Sequence, residues 1–181
     1  IDEEDDWIIA ESLMKKYTIL GEKENKIKLF LSDVDGTLTD AGMYYSEKGD
    51  ELKKFNTHDG KGFELLKKGG IKVGIITSEK TKIVDRRAKK MKLDYLFQGL
   101  ENKGKLDVTL EICKIEGISL NEVAYIGDDL NCIDLLQNVG LAACPNDSLP
   151  NVKNIPNIIL MNKKGGDGCV REFIDYILLN N

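Results

Sequence analysis

Over residues 28–40 an apolar run ends abruptly in acids: Leu29, Phe30 and Leu31 lead into Asp33 and Asp35, and Gly36 follows. Three large apolar residues in succession suit a strand buried on both faces, and Gly36 lets the chain turn without a Cβ penalty. Side chains alternate along a strand, so Asp33 and Asp35 are expected on one side, with Val34 directed away. Further on, residues 43–46 and 51–55 flank Glu47, Lys48, Gly49 and Asp50, the composition of a hairpin turn. Asp59 is expected to cap a helix over residues 60–68, which Gly69 and Gly70 end before an apolar strand at 71–76. A helix over 79–92 would bury Ile83, Val84, Ala88 and Met91 and expose a basic face, and a strand is predicted at 95–97. Leu106, Leu110 and Cys113 mark another helix, ended by Gly117, before a strand at 123–126 that runs into Gly127, Asp128 and Asp129. Strands at 140–143 and 158–160 and a helix over 169–179 complete the pattern. Strands alternating with helices of this length predict an α/β fold with a doubly wound, mostly parallel sheet. Ahead of it, the spacing of Trp7, Ala10, Leu13 or Met14, and Tyr17 predicts a helix over residues 5–17 and a charged linker. Residues 1–26 are thus set apart from a single domain spanning 27–181.

Composition narrows the function classes. The chain of 181 residues is 41% hydrophobic and 31% charged, and its longest apolar runs fall well short of the roughly 18 residues of a membrane span. A net charge of -5 argues against nucleic acid as a partner, because phosphate-backbone binding needs a basic surface. Cys113, Cys132, Cys144 and Cys169 stand far apart and His58 is the one histidine, which argues against zinc and for reduced thiols in a cytoplasmic setting. The acidic start, without Met at position 1, does not read as a secretory signal; it suggests a piece of a longer chain.

In an open parallel sheet, ligands sit outside the carboxyl ends of the strands, which is where Asp33 and Asp35 fall. The pair by itself fits more than one chemistry. An EF-hand loop counted from Asp33 would need Gly and Glu where Leu38 and Tyr44 stand. A two-component receiver places its acceptor Asp after the third strand, and no lone Asp ends the run at 95–97. The remaining plain reading is a turn cap. Three more signals at strand ends favour a site: Thr77 with Ser78, Lys103 in Asn102-Lys103-Gly104-Lys105, and Gly127-Asp128-Asp129.

With these in order, residues 29–131 resemble the haloacid dehalogenase superfamily of phosphohydrolases. The resemblance implies that Asp33 is the nucleophile of an aspartyl-phosphate and Asp35 the acid and base. It implies Mg2+ held by Asp33, the Asp35 backbone carbonyl and Asp128, with Thr77 and Lys103 on the phosphoryl group; Lys105, two residues on, is the other candidate lysine. Asp129 would bond Lys103 or a metal-bound water. Neither insertion point has room for a cap domain, so the chain is similar to the capless phosphatases of 3-deoxy-manno-octulosonate 8-phosphate and of nonulosonate 9-phosphates such as KDN or N-acetylneuraminate. That likeness implies a homotetramer built on the hairpin, and Gly165-Gly166-Asp167-Gly168 through Arg171 matches a segment that helps close a neighbouring site. Thr57, Ser78, Glu79, Arg87 and Lys90 would bind substrate and favour the nine-carbon sugar acid over the eight-carbon one. Residues 1–11 are similar to the final helix of acylneuraminate cytidylyltransferases, which implies an upstream cytidylyltransferase domain in a fused chain. A non-catalytic oligomerisation domain is the competing role, disfavoured because Asp33, Asp35 and Asp128 are all present.

Overall fold

The computed structural model describes residues 26–49, 51–100 and 104–181. The expected N-terminal helix, its cytidylyltransferase-like segment and Lys103 lie outside these residues. The chain order is β1 (Leu29–Ser32), β2 (Tyr44–Tyr45), β3 (Glu51–Leu52), α1 (Thr57–Lys68), β4 (Lys72–Thr77), α2 (Lys82–Met91), β5 (Tyr95–Gln98) and α3 (Lys105–Glu116). There follow β6 (Val123–Ile126), α4 (Ile133–Leu136), β7 (Leu141–Cys144), α5 (Pro150–Lys153), β8 (Ile159–Leu160) and α6 (Cys169–Asn180).

Six strands form one parallel sheet in the order β5-β4-β1-β6-β7-β8, so β1 is central, with Leu29 paired to Lys72 on one side and Val123 on the other. Strand alternation then divides the core in two. Phe30 and Val34 pack with Phe63 and Leu66 of α1, Val84 of α2, and Phe173 and Ile174 of α6. Leu29 and Leu31 face Val108 and Ile112 of α3 and Leu135 of α4 on the opposite side. Phe30 meets the Phe63 ring edge-on, with centroids 5.4 Å apart. Helices thus cover both faces of an α/β sheet, as the sequence pattern predicts, and β2 with β3 forms the expected small antiparallel hairpin.

Two helix starts differ from expectation. Asn56, not Asp59, caps α1, its side chain accepting from His58 N at 2.9 Å. Asp59 is instead buried in the first turn and accepts from Arg171 N at 2.8 Å, so it joins α1 to α6. α2 begins at Lys82, because the Thr81 side chain accepts from Val84 N and closes the first turn there; Ser78, Glu79 and Lys80 remain in the loop after β4.

The loop after β1 is held in place by the end of the chain. Gly166 N donates to Thr37 O at 3.0 Å, and Cys169 Sγ donates to the same carbonyl at 3.3 Å. A Cβ on Gly165 would fall 2.1 Å from Gly36 O, so a glycine is required for this approach. The glycine-rich segment matched from sequence thus packs against this chain's own acidic loop. Among the described residues no helix is long and apolar enough to cross a membrane, and all four cysteines are free.

Candidate active site

Asp33 follows the last residue of β1 and is 4% exposed. Val34 N donates to its Oδ1 at 2.8 Å, and Lys105 Nζ, from the first turn of α3, lies 2.6 Å from its Oδ2. Burial pulls the Lys105 ammonium down, but the Asp33 charge, Cys132 and the hydrogen bonds to both together outweigh it and hold Lys105 above its ordinary value. Lys105, the other candidate lysine of the sequence, thus stands beside Asp33, while Lys103 lies outside the described residues. Lys105 also donates to Asn131 Oδ1 at 3.3 Å, and Asn131 Nδ2 donates to Ser78 Oγ at 3.2 Å.

Asp128 follows β6 and faces the same pocket, since its carboxylate, that of Asp33 and the Cys132 sulfur lie within 4.8 Å of one another. Thr37 Oγ1 donates to Asp128 Oδ1 at 3.1 Å. Gly36 has φ +80°, and a Cβ there would stand 1.9 Å from Asp128 Oδ2, so only glycine admits this carboxylate. Burial, and then the nearby Asp33 charge, push Asp128 up to about 7. The Cys132 thiol donates to Asp33 Oδ2 at 3.1 Å and accepts from Tyr125 OH at 3.2 Å. Burial, and then Asp33, push it up to about 12, so it is a neutral group here.

Asp35 has a separate partner. Lys53 Nζ, just past β3, donates to Asp35 Oδ1 at 2.5 Å and to Glu79 Oε2 at 2.6 Å. Burial pulls Lys53 down, but its bonds to Asp35 and Glu79 outweigh that and raise it. Sequence reading passed over Lys53 and Thr37. Thr37 had a signal, its place two residues after Asp35; Lys53 looked like an ordinary hairpin charge.

The other expected site residues fall in four places. Thr77 is the buried end of β4. Thr57, Arg87 and Lys90 line a cleft of about 410 Å³ between α1 and α2, with Lys61 and Met91. Arg87 Nη2 donates there to Asn56 O at 3.0 Å, and its guanidinium stands 5.4 Å from the Phe55 ring centre. Arg171 reaches along its own helix to Asp175, 2.7 Å away. The Asp129 side chain accepts from Leu130 N at 2.6 Å and caps the turn that starts α4; the Lys103 expected beside it lies outside the described residues.

Asp33, Asp35 and Asp128 thus stand beyond, and Thr77 at, the carboxyl ends of adjacent strands, where open α/β sheets place their ligands. Comparison with known proteins agrees. Residues 10–144 match the haloacid dehalogenase-like hydrolase family. The chain is 37% identical over 158 residues to the 3-deoxy-D-manno-octulosonate 8-phosphate phosphatase of Escherichia coli, covering 87% of this chain and 82% of that protein. The solved phosphatase of that name from Yersinia pestis superposes with a TM-score of 0.80 at 36% identity, over 86% of this chain and 83% of that one. The enzyme from Moraxella catarrhalis, solved with a magnesium ion, a phosphate ion and a KDO molecule, gives 0.80 at 36% identity over 86% and 88%. With its sheet, its acidic strand ends and these relatives in agreement, the chain belongs to the haloacid dehalogenase-like hydrolases, as a capless phosphoric monoester hydrolase.

Proposed function

We propose that the chain hydrolyses 3-deoxy-manno-octulosonate 8-phosphate in a Mg2+-dependent reaction through an aspartyl-phosphate on Asp33. The observation that carries this reading is the buried pairing of Asp33 with Lys105 opposite Asp128 at the mouth of the sheet, in a fold shared with phosphatases of that name. Sequence alone favoured a nine-carbon substrate; the relatives instead support the eight-carbon sugar acid.

The donor set suits Mg2+. The buried Asp33 and half-buried Asp128 carboxylates, within 4.8 Å, repel each other, which is part of what raises Asp128, and a hard divalent cation offsets that repulsion. Asp33, Asp128 and the Asp35 carbonyl would hold the ion. Cys132, soft and neutral, is a poor ligand for it. When bound, Mg2+ supplies charge neutralisation on the transferring phosphoryl group.

The protein groups then divide the work. An Asp33 oxygen attacks phosphorus as the bond to the sugar oxygen breaks, and Asp35 gives that oxygen its proton. Water next attacks phosphorus and yields a proton to Asp35, while the Asp33 carboxylate leaves as inorganic phosphate is released. Lys105 offsets charge on Asp33 and the phosphoryl oxygens, and Thr77 donates to the latter.

A second reading, a nonulosonate 9-phosphate, is supported by the likeness of residues 1–11 to a cytidylyltransferase tail; Glu79 and Lys90, paired for it in the sequence, stand against Lys53 and in the α1–α2 cleft respectively. The exposed Met43, Tyr44, Tyr45 and Leu52 of the hairpin support assembly into a homotetramer, in which Arg171 would serve an adjoining site. Phosphate release is measured with the octulosonate 8-phosphate, KDN 9-phosphate and N-acetylneuraminate 9-phosphate, using Asp33→Asn as control. Highest kcat/KM on the octulosonate supports the first reading, and preference for either nonulosonate overturns it. Sedimentation analysis tests the tetramer.

A further inference from the structure

Lys53 departs from its surroundings. The hairpin exposes most of its large side chains, Tyr45 at 64% and Leu52 at 61%, yet the Lys53 side chain is only 3% exposed. Its ammonium is enclosed between Asp35 and Glu79, at 2.5 and 2.6 Å. Asp35 belongs to the loop after β1 and Glu79 to the loop after β4, so one cation ties the hairpin to both. Among the described residues Asp35 has little else to hold it. Its carboxylate is 36% exposed, and the Thr39 hydroxyl is at 3.5 Å, the outer limit of a hydrogen bond. A charge-assisted bond to an ammonium that is itself anchored fixes the carboxylate far better. Catalytic groups need placement to roughly 0.5 Å.

We propose that Lys53 is a positioning residue of the reaction: it holds the Asp35 carboxyl where proton transfer takes place, and Glu79 acts by anchoring Lys53. This rests on the phosphatase reading above. The hairpin, standing where a cap would be inserted, thereby contributes to catalysis through one side chain that reaches back into the site.

The experiment uses p-nitrophenyl phosphate in stopped flow. Its leaving group departs without a proton, so the first step, attack by Asp33 with release of p-nitrophenolate, does not need Asp35. The second step does, because attack of water on the aspartyl-phosphate requires Asp35 to take a proton. In Lys53→Met the burst of p-nitrophenolate should keep its rate within about threefold, while the phase after it slows roughly 10- to 100-fold and KM falls with it, leaving kcat/KM little changed. Lys53→Arg, which can pair with both carboxylates, should recover most of that loss. Glu79→Gln should slow the second phase less, and the double variant Lys53→Met with Glu79→Gln no more than Lys53→Met alone. A second phase at the wild-type rate in Lys53→Met, or a burst slowed as much as the second phase, overturns the proposal. Should Lys53→Met fail to fold by circular dichroism, Glu79→Gln decides by the same reading. Activity without Mg2+, or activity retained in Asp33→Asn, overturns the phosphatase reading itself, whatever the Lys53 variants do.

Discussion

Lys105 Nζ and Asp33 Oδ2 lie 2.6 Å apart with both side chains buried. Removing the lysine leaves a carboxylate in a dry site without its counter-charge, a change that costs about 3–5 kcal/mol in comparable pairs. Lys105→Met is therefore expected to lose roughly a hundredfold or more in phosphate release and to melt earlier. Lys103→Ala should change activity far less. Parallel assays and thermal melts of the two variants check this, and equal losses would contradict the pairing.

Gly36 is the second point of sensitivity. Alanine there must occupy φ +80° and put its Cβ 1.9 Å from Asp128 Oδ2, so the carboxylate has to move. Gly36→Ala should raise the Mg2+ concentration needed for half-maximal activity about tenfold or more while the far-ultraviolet spectrum stays that of the folded sheet. A Mg2+ titration of phosphate release measures it.

Asp59 makes stability depend on pH. Burial raises its carboxyl to about 6 in the folded chain from an ordinary 3.8, against the pull of the Arg171 amide and the Arg87 charge. Between these values the folded state holds the proton that the unfolded state has released, so the stability this group contributes falls as pH rises from about 4 to about 6. Asp59→Asn should flatten the profile over that window, with a difference on the order of 2–3 kcal/mol between its ends. Urea unfolding at a series of pH values reads the slope; an unchanged slope would refute the assignment.

Gly166, at φ +69°, would place a Cβ 2.6 Å from Asp40 N. Gly166→Ala should cost about 1–3 kcal/mol in urea unfolding and lower activity as well, because the backbone it displaces carries the acidic pair.

The fold was legible because the pattern is strong where burial is strong. Leu29, Phe30 and Leu31 are fully buried on both faces of the central strand, and Gly117 ends α3 in the left-handed conformation that glycine favours. Helix starts were less legible. Asn56 and Asp59 are both good caps by local chemistry, and what removes Asp59 from that role is the amide of Arg171, far along the chain. That Asp33, Asp35 and Asp128 gather at strand ends was readable from spacing. The lysine was not: Lys103 and Lys105 differ by two positions, and the contact of Lys105 with Asp33 crosses from α3 to the end of β1. Lys53 was invisible for the same reason, since its partners lie 18 and 26 positions away.

The contact of Gly166 and Cys169 with Thr37 O bears on the order of assembly. Cys169 stands 132 positions after Thr37, so the loop holding Asp33 and Asp35 leaves the ribosome early and is locked late. During refolding, helical signal should therefore return before enzymatic turnover does, and a nascent chain halted before α6 should form most of its sheet without a working catalytic loop.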